Sequence, residues 1–212
     1  MKSVCIIQAR MTSTRLPGKV MLPLGGRTVL WHVLTRAMRI PGIDLVVLAV
    51  PESDASLPLT VEAAALGISI VYGPEHDVLS RYYRAAVVAG ADIVMRVTAD
   101  CPMLDSAICG EVLALVKAGA DYASNVLPRG FPKGLDCEAF TMAALDEANH
   151  FADTKEDREH VTPYMQRSPG LKRANLDGEL DAEVRWTLDT SEDYAFLSAV
   201  FERRAGDWRG LQ

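Results

Sequence analysis

Residues 4–19 read Val4-Cys5-Ile6-Ile7-Gln8-Ala9-Arg10-Met11-Thr12-Ser13-Thr14-Arg15-Leu16-Pro17-Gly18-Lys19, and the fold class follows from how this stretch changes character. Val4 to Ile7 is a short, unbroken apolar run, the pattern of a strand buried on both faces. From Ala9 to Gly26 the chain carries Pro17, Gly18, Pro23, Gly25 and Gly26, too many breakers for a regular element. Thr28 to Arg39 then sets Val29, Leu30, Val33, Leu34 and Ala37 on one helical face. A buried strand, a long loop and an amphipathic helix form one unit of an α/β sheet.

The unit recurs downstream. Strands are expected at Leu45 to Val50, Ser69 to Tyr72, Ile93 to Val97 and Tyr122 to Ser124. Helices are expected at Leu59 to Leu66, Val78 to Val88 and Ser106 to Lys117, with Gly67, Gly90 and Gly119 as their stops and Asp105 as the N-cap of the last. This alternation implies right-handed crossovers and a mainly parallel sheet with helices on both faces. After Asn125 the rhythm breaks at Pro128, Gly130, Pro132 and Gly134. Helical stretches around Met142 to Asn149 and Glu156 to Gln166 follow, making an irregular cap. The acidic run Asp177 to Glu183 leads to Val184-Arg185-Trp186, read as an added strand, and a helix from Ser191 to Arg204 capped by Thr190 or Ser191.

Charge narrows the function. The net charge is −6, yet residues 1–43 hold seven cations and no Asp or Glu. An acidic chain argues against general coating of nucleic acid, and its cationic start points to a local anion site. The four cysteines show no C-x-x-C spacing, no leader-like apolar run opens the chain, and the apolar stretch Leu45 to Val50 falls far short of the roughly 20 residues of a membrane span. Reduced thiols in a cytoplasmic protein are the expectation.

In an open parallel sheet, ligands bind beyond the carboxyl ends of the strands. The loop after Gln8 is the richest of these places. It offers three cations, three hydroxyls and a glycine that admits backbone N–H groups to a ligand, a set suited to the adjacent charges of a triphosphate. The Walker pattern is absent, and a solvated basic loop is the competing reading. In Arg96-Val97-Thr98-Ala99-Asp100-Cys101-Pro102, a carboxylate follows directly on a buried strand, placed either to hold a hard divalent cation or to cap the turn before Pro102. Asp189, in Trp186-Thr187-Leu188-Asp189-Thr190-Ser191-Glu192-Asp193, is a second carboxylate candidate with a capping alternative. Cys101 and His160 have no spacing that supports a nucleophilic thiol pair, and Tyr82, Tyr83, Trp31 and Phe140 read as filling for core and interface.

Taken together, Arg10 to Lys19, Thr98-Ala99-Asp100-Cys101-Pro102 and Leu188 to Asp193 resemble the three motifs of the cytidylyltransferases that activate sugar acids. The resemblance is to the SpsF-like spore-coat polysaccharide subgroup, which is similar to CMP-KDO synthetase and acylneuraminate cytidylyltransferase. It extends to Asp77-Val78-Leu79-Ser80-Arg81-Tyr82-Tyr83, Gly134-Leu135-Asp136-Cys137-Glu138 and Arg158-Glu159-His160-Val161-Thr162-Pro163-Tyr164. It implies a Rossmann-like, GT-A-type fold, CTP as donor, Mg²⁺ as metal and a homodimer. By the same resemblance, Gln8, Ala9, Arg10, Ser13, Arg15, Lys19, Arg81 and Thr98 would hold the nucleotide, with Arg10, Lys19 and Asp100 carrying catalysis. Asp100 and Asp189 would bind the metal. Where Thr98 stands here, the sugar-acid synthetases commonly carry Gln.

The implied reaction is attack by an acceptor oxygen on the α-phosphorus of CTP with release of pyrophosphate. The acceptor would be an anionic sugar or sugar acid, with Lys133, Arg158 and His160 as candidates to draw its charge. Residues 1–212 read as one domain, with a nucleotide-binding half at 1–125, an acceptor-binding and dimerisation cap at 126–190 and a C-terminal helix at 191–212. Two rivals stand against this: a glycosyltransferase on the same fold, which usually needs an Asp-x-Asp site where Thr98 is found, and a nucleotide-binding module without turnover.

Overall fold

The apolar run at Val4 to Ile7 becomes the centre of strand β1 (Ser3–Gln8), where all four side chains are fully buried. In the computed structural model, residues 1–178, 180 and 183–205 are described. Glu179, Asp181 and Ala182 of the acidic run, and residues 206–212 of the C-terminal segment, lie outside them.

Along the chain, β1 is followed by β2 (Pro23–Leu24), β3 (Arg27–Thr28), α1 (Val29–Ala37), β4 (Leu45–Pro51), α2 (Leu57–Ala65), β5 (Ser69–Gly73), α3 (Val78–Ala89), β6 (Ile93–Thr98) and α4 (Ser106–Lys117). Then come β7 (Tyr122–Ser124), β8 (Glu138–Thr141), α5 (Met142–Phe151), α6 (Lys155–His160), α7 (Pro163–Arg167), β9 (Arg173–Asn175) and α8 (Ser191–Ala205). Seven strands form one sheet in the order β5-β4-β1-β6-β8-β7-β9, in which β8 alone runs against the rest. The Rossmann-like α/β architecture expected from the sequence is the one observed.

Pleating divides β1 between two cores. Cys5 and Ile7 pack with Leu30 and Leu34 of α1, Leu59 of α2 and Leu113 of α4. Val4 and Ile6 face the other way, onto Leu79 and Tyr82 of α3 and Leu145 of α5. Each face of the sheet is thus covered, and the anticipated continuous apolar strands are explained. Caps fix the helix starts: Thr28 accepts the Trp31 N–H, Asp77 that of Ser80, and Asp105 those of Ala107 and Ile108.

Three expectations need correction. The loop from Ala9 to Gly26 contains a short element after all, because Gly25-Gly26 makes the two-residue turn of the β2–β3 hairpin. The stretch Glu156 to Gln166 is two short helices, since Val161 takes φ 74° and Pro163 begins the second. Val184 to Trp186 forms no strand, only a single parallel bridge from Arg185 to Lys133. There the chain crosses over Gly134, where an added Cβ would lie 2.6 Å from the Trp186 carbonyl carbon. The sheet edge is instead β9, whose Arg-Ala-Asn sequence has no apolar run to announce it.

Candidate active site

Strand order reverses between β1 and β6, because β4 and β5 lie on one side of β1 while β6, β8 and β7 lie on the other. A doubly wound sheet opens its ligand crevice at such a switch. Here it opens as a cavity of about 450 Å³ beyond Gln8 and Thr98, which pair in register.

The loop after β1 forms one wall. Gly18, at φ 68°, occupies the left-handed region that other residues avoid, and its N–H closes the loop onto the Met11 carbonyl at 2.9 Å. This turn brings Lys19 inward to a nearly buried position. Arg10, Ser13, Thr14 and Arg15 also line the cavity.

Lys19 is the hub. Its ammonium donates to Asp100 Oδ2 at 2.6 Å, to Asp189 Oδ1 at 2.8 Å and to the Leu188 carbonyl at 2.8 Å. All three of its donors are therefore used. The Leu188 N–H returns a bond to the Asp100 carbonyl, tying the two carboxylate-bearing segments together. Asp189 also receives Arg185 at 2.7 Å and Arg15 at 3.1 Å. Burial works against the Lys19 charge, but Asp100 and Asp189 outweigh it and raise its pKa above the usual lysine value. Burial likewise favours neutral Asp189, yet Lys19, Arg185 and Arg15 hold its pKa below the usual carboxylate range.

The two carboxylates named from the sequence thus meet around one cation. Among the described residues no cluster of three or more His, Cys, Asp or Glu side chains is placed to hold a metal. Two hard carboxylates beside a cationic wall nonetheless fit a small divalent ion, which takes one or two protein carboxylates and fills its shell with other oxygens, such as those of phosphate or water.

The other residues singled out from the sequence fall into place unevenly. Gln8, Ala9, Arg81 and Thr98 line the inner wall. Arg81 is almost fully buried, and its guanidinium donates to the carbonyls of Pro74 and Glu75. Lys133 and His160 line the outer wall and are exposed. Arg158 does not line the cavity; it grips Asp77 with two nitrogens, at 3.0 and 2.6 Å, and donates to Asn149. Cys101 is buried, and burial followed by the Asp100 charge pushes its thiol pKa up, away from thiolate chemistry.

Sequence reasoning passed over Arg96, Arg129, Asp136 and Arg185, all of which line the cavity. Arg96 carried a signal: it is the one charge within a strand otherwise built of apolar residues and Thr98. Its partner, Glu138, stands opposite it across β6 and β8, 2.5 Å away. Burial opposes the Arg96 charge and Glu138 restores it, so its pKa lies above the usual value. Arg129 forks onto Asp136 at 2.6 and 2.9 Å. Arg185 joins Asp189 to Asp193.

Comparison with known proteins agrees with this geometry. The chain matches the cytidylyltransferase family over residues 4–206. It is similar to the spore coat polysaccharide biosynthesis protein SpsF of Bacillus subtilis, with 29% identity over 93% of this chain and 85% of that one. A solved cytidylyltransferase from Leptospira borgpetersenii superposes with a TM-score of 0.91 and 33% identity, covering 96% of this chain and 87% of its own. A CMP:2-keto-3-deoxy-manno-octonic acid synthetase solved with CTP shares the fold, with a TM-score of 0.76 at 17% identity, covering 96% of this chain and all of its own. With its sheet, its crevice and its motifs matched nearly end to end, the chain belongs to the cytidylyltransferase family of CTP-using nucleotidyltransferases.

Proposed function

We propose that this protein transfers CMP from CTP to an anionic sugar or sugar acid and releases pyrophosphate, as a step in surface polysaccharide biosynthesis. The observation that carries the reading is the meeting of Asp100 and Asp189 around Lys19, beside the cationic loop Arg10 to Arg15. An acceptor oxygen attacks the α-phosphorus in line; the new P–O bond forms as the bond to the β-phosphate oxygen breaks. Such transfer asks the protein for alignment and charge neutralisation. Arg10, Ser13, Arg15 and Lys19 hold the phosphates, and the cations among them stabilise the negative charge that collects on the departing pyrophosphate.

Mg²⁺ is the proposed metal, held by Asp100 and Asp189 together with phosphate oxygens, and when bound it would supply Lewis-acid neutralisation at the phosphates. Among the solved proteins of this fold, one from Mycobacterium tuberculosis was obtained as a manganese complex. The acceptor anion is drawn by Lys133 and His160 on the outer wall, with Arg158 behind them holding the start of α3. Residues 1–125 serve the nucleotide, and 126–190 serve the acceptor and the contact between two copies in a cytoplasmic homodimer. No helix among the described residues is long and apolar enough to cross a membrane.

Calorimetric titration with CTP, ATP, GTP and UTP, with Mg²⁺ and then with EDTA, tests the donor. CTP-selective binding strengthened by metal is the expected result, followed by pyrophosphate release with anionic acceptors. Absence of nucleoside triphosphate binding would overturn the activity, and release of a nucleoside diphosphate from a nucleotide sugar would replace it with glycosyl transfer.

A further inference from the structure

The inner wall of the cavity differs from the rest in having a neutral floor. Gln8 continues the pleat of Val4 and Ile6, and Thr98 continues that of Val94, so both project to the face covered by α3. The Tyr82 hydroxyl ends that cover by donating toward the carbonyls of Ile6 and Val97 at 3.1 and 3.2 Å. Just past it, Gln8, Ala9, Val78 and Thr98 form a small uncharged surface. The neighbouring cation Arg81 is turned onto Pro74 and Glu75, and Arg96 is held by Glu138.

Three buried polar atoms along this cavity lack a partner: the Nε donors of Arg81 and Arg96, and one acceptor on the neutral floor. The Gln8 side-chain carbonyl oxygen is buried and has no partner in the protein. Thr98, directly opposite, already has its hydroxyl 3.3 Å from Cys101 Sγ. Buried acceptors are almost always satisfied, and one left open at the base of a crevice calls for a donor from a ligand. The phosphates carry no such donor and are matched to the cationic walls, which leaves the ribose hydroxyls and the amino group of the heterocycle as the donors a nucleotide offers. Of these, the flat edge of the heterocycle suits a carboxamide.

We propose that the Gln8 carboxamide oxygen accepts a hydrogen bond from the 4-amino group of cytosine, and that this contact makes the protein select CTP over UTP. Uracil carries a carbonyl at the same position, so the carboxamide would have to turn over and present its NH₂ group in order to pair with it. The inference rests on the reading of this cavity as the nucleotide site, and Gln8 takes on the discrimination that a floor of Ala9 and Thr98 leaves open.

The test is calorimetric binding of CTP, UTP and 2′-deoxy-CTP, each with Mg²⁺, to the wild-type protein and to Gln8→Met and Gln8→Ala, with circular dichroism to confirm folding. Gln8→Met keeps the volume and removes both polar atoms. CTP affinity should fall about tenfold in both variants while UTP affinity stays within about twofold, the effect of losing one hydrogen bond to a base. A CTP-to-UTP ratio that survives in Gln8→Met overturns the proposal. So does an equal loss for CTP and UTP with discrimination against the 2′-deoxy ligand abolished, which would assign Gln8 to the ribose. A wild-type protein that binds neither triphosphate overturns the nucleotide reading itself, whereas a CTP-selective wild type with unchanged variants overturns the role of Gln8 alone.

Discussion

At the scale of single residues, Lys19 is the group on which the site depends. Its ammonium spans two carboxylates and a carbonyl, and its own side chain is only 11% exposed. Lys19→Ala removes the cation proposed to hold the phosphates and takes away the bridge between Asp100 and Asp189. Asp189 still keeps Arg15 and Arg185, and Asp100 retains some solvent, so the fold survives. Turnover should drop by at least about a hundredfold, with the circular dichroism spectrum unchanged; a rate near wild type would remove Lys19 from the mechanism. Asp100 and Asp189 were legible in the sequence because one follows a strand and the other precedes a helix, and Lys19 because it ends the run of cations and hydroxyls after β1. Arg96 and Glu138 were harder to read. The charge of Arg96 makes sense only once β8 is known to lie beside β6, and that pairing joins segments 42 residues apart.

At the scale of elements, α8 shows how a helix start can serve a site. Thr190 Oγ1 accepts the Asp193 N–H at 3.3 Å, while Asp193 accepts the N–H groups of Asp189 and Thr190 at 2.8 and 2.9 Å. This is a reciprocal cap, and it freezes the backbone that presents Asp189. The sequence offered Thr190 or Ser191 as the cap; Thr190 serves, together with Asp193. Arg185 first, and then the two backbone N–H groups, hold the Asp193 pKa down to about 2 despite some burial. A carboxylate depressed in the folded state stabilises it above the unfolded value near 4 and loses that contribution as pH falls toward 2. Denaturant unfolding between pH 6 and pH 2 should therefore show stability declining below about pH 4. In Asp193→Ala the protein should be about 1–2 kcal/mol less stable at pH 7, with a shallower acid limb. Equal acid limbs in the two proteins would show that Asp193 is not the titrating group. By contrast, the break between α6 and α7 was only half visible, because Pro163 could be read from the sequence and the left-handed turn at Val161 could not.

Across the whole molecule, the central β1 unit and its repeats were plain in the hydrophobic pattern, since a strand buried on both faces leaves little ambiguity. The far edge was not, because β9 is short, polar and half-exposed and is recruited by β7 through backbone bonds and the hydrogen bond that the Ser124 hydroxyl donates to Asn175. The cavity draws its walls from segments throughout the sheet, so ligand binding should stabilise the fold as a unit. With Mg²⁺ and CTP at one hundred times its Kd, linkage gives about 2.7 kcal/mol. For a protein of this size that corresponds to a rise in Tm of about 5–10 °C, measurable by scanning calorimetry. An unshifted Tm with CTP and Mg²⁺ would mean that the cavity does not take the nucleotide.

Lys19 and Asp189 are separated by 170 residues, and this separation bears on the protein's synthesis. A ribosome makes the cationic loop early and the carboxylate that completes it late. Until Asp189 emerges, the Lys19 ammonium has no second carboxylate and no Leu188 carbonyl to fill its donors. The finished binding site is therefore a property of the completed polypeptide. A product truncated before residue 188 would contain all seven strands of the sheet and yet lack Asp189 and the Leu188 carbonyl, so ribosomal errors of this kind would not yield a protein with the paired carboxylates.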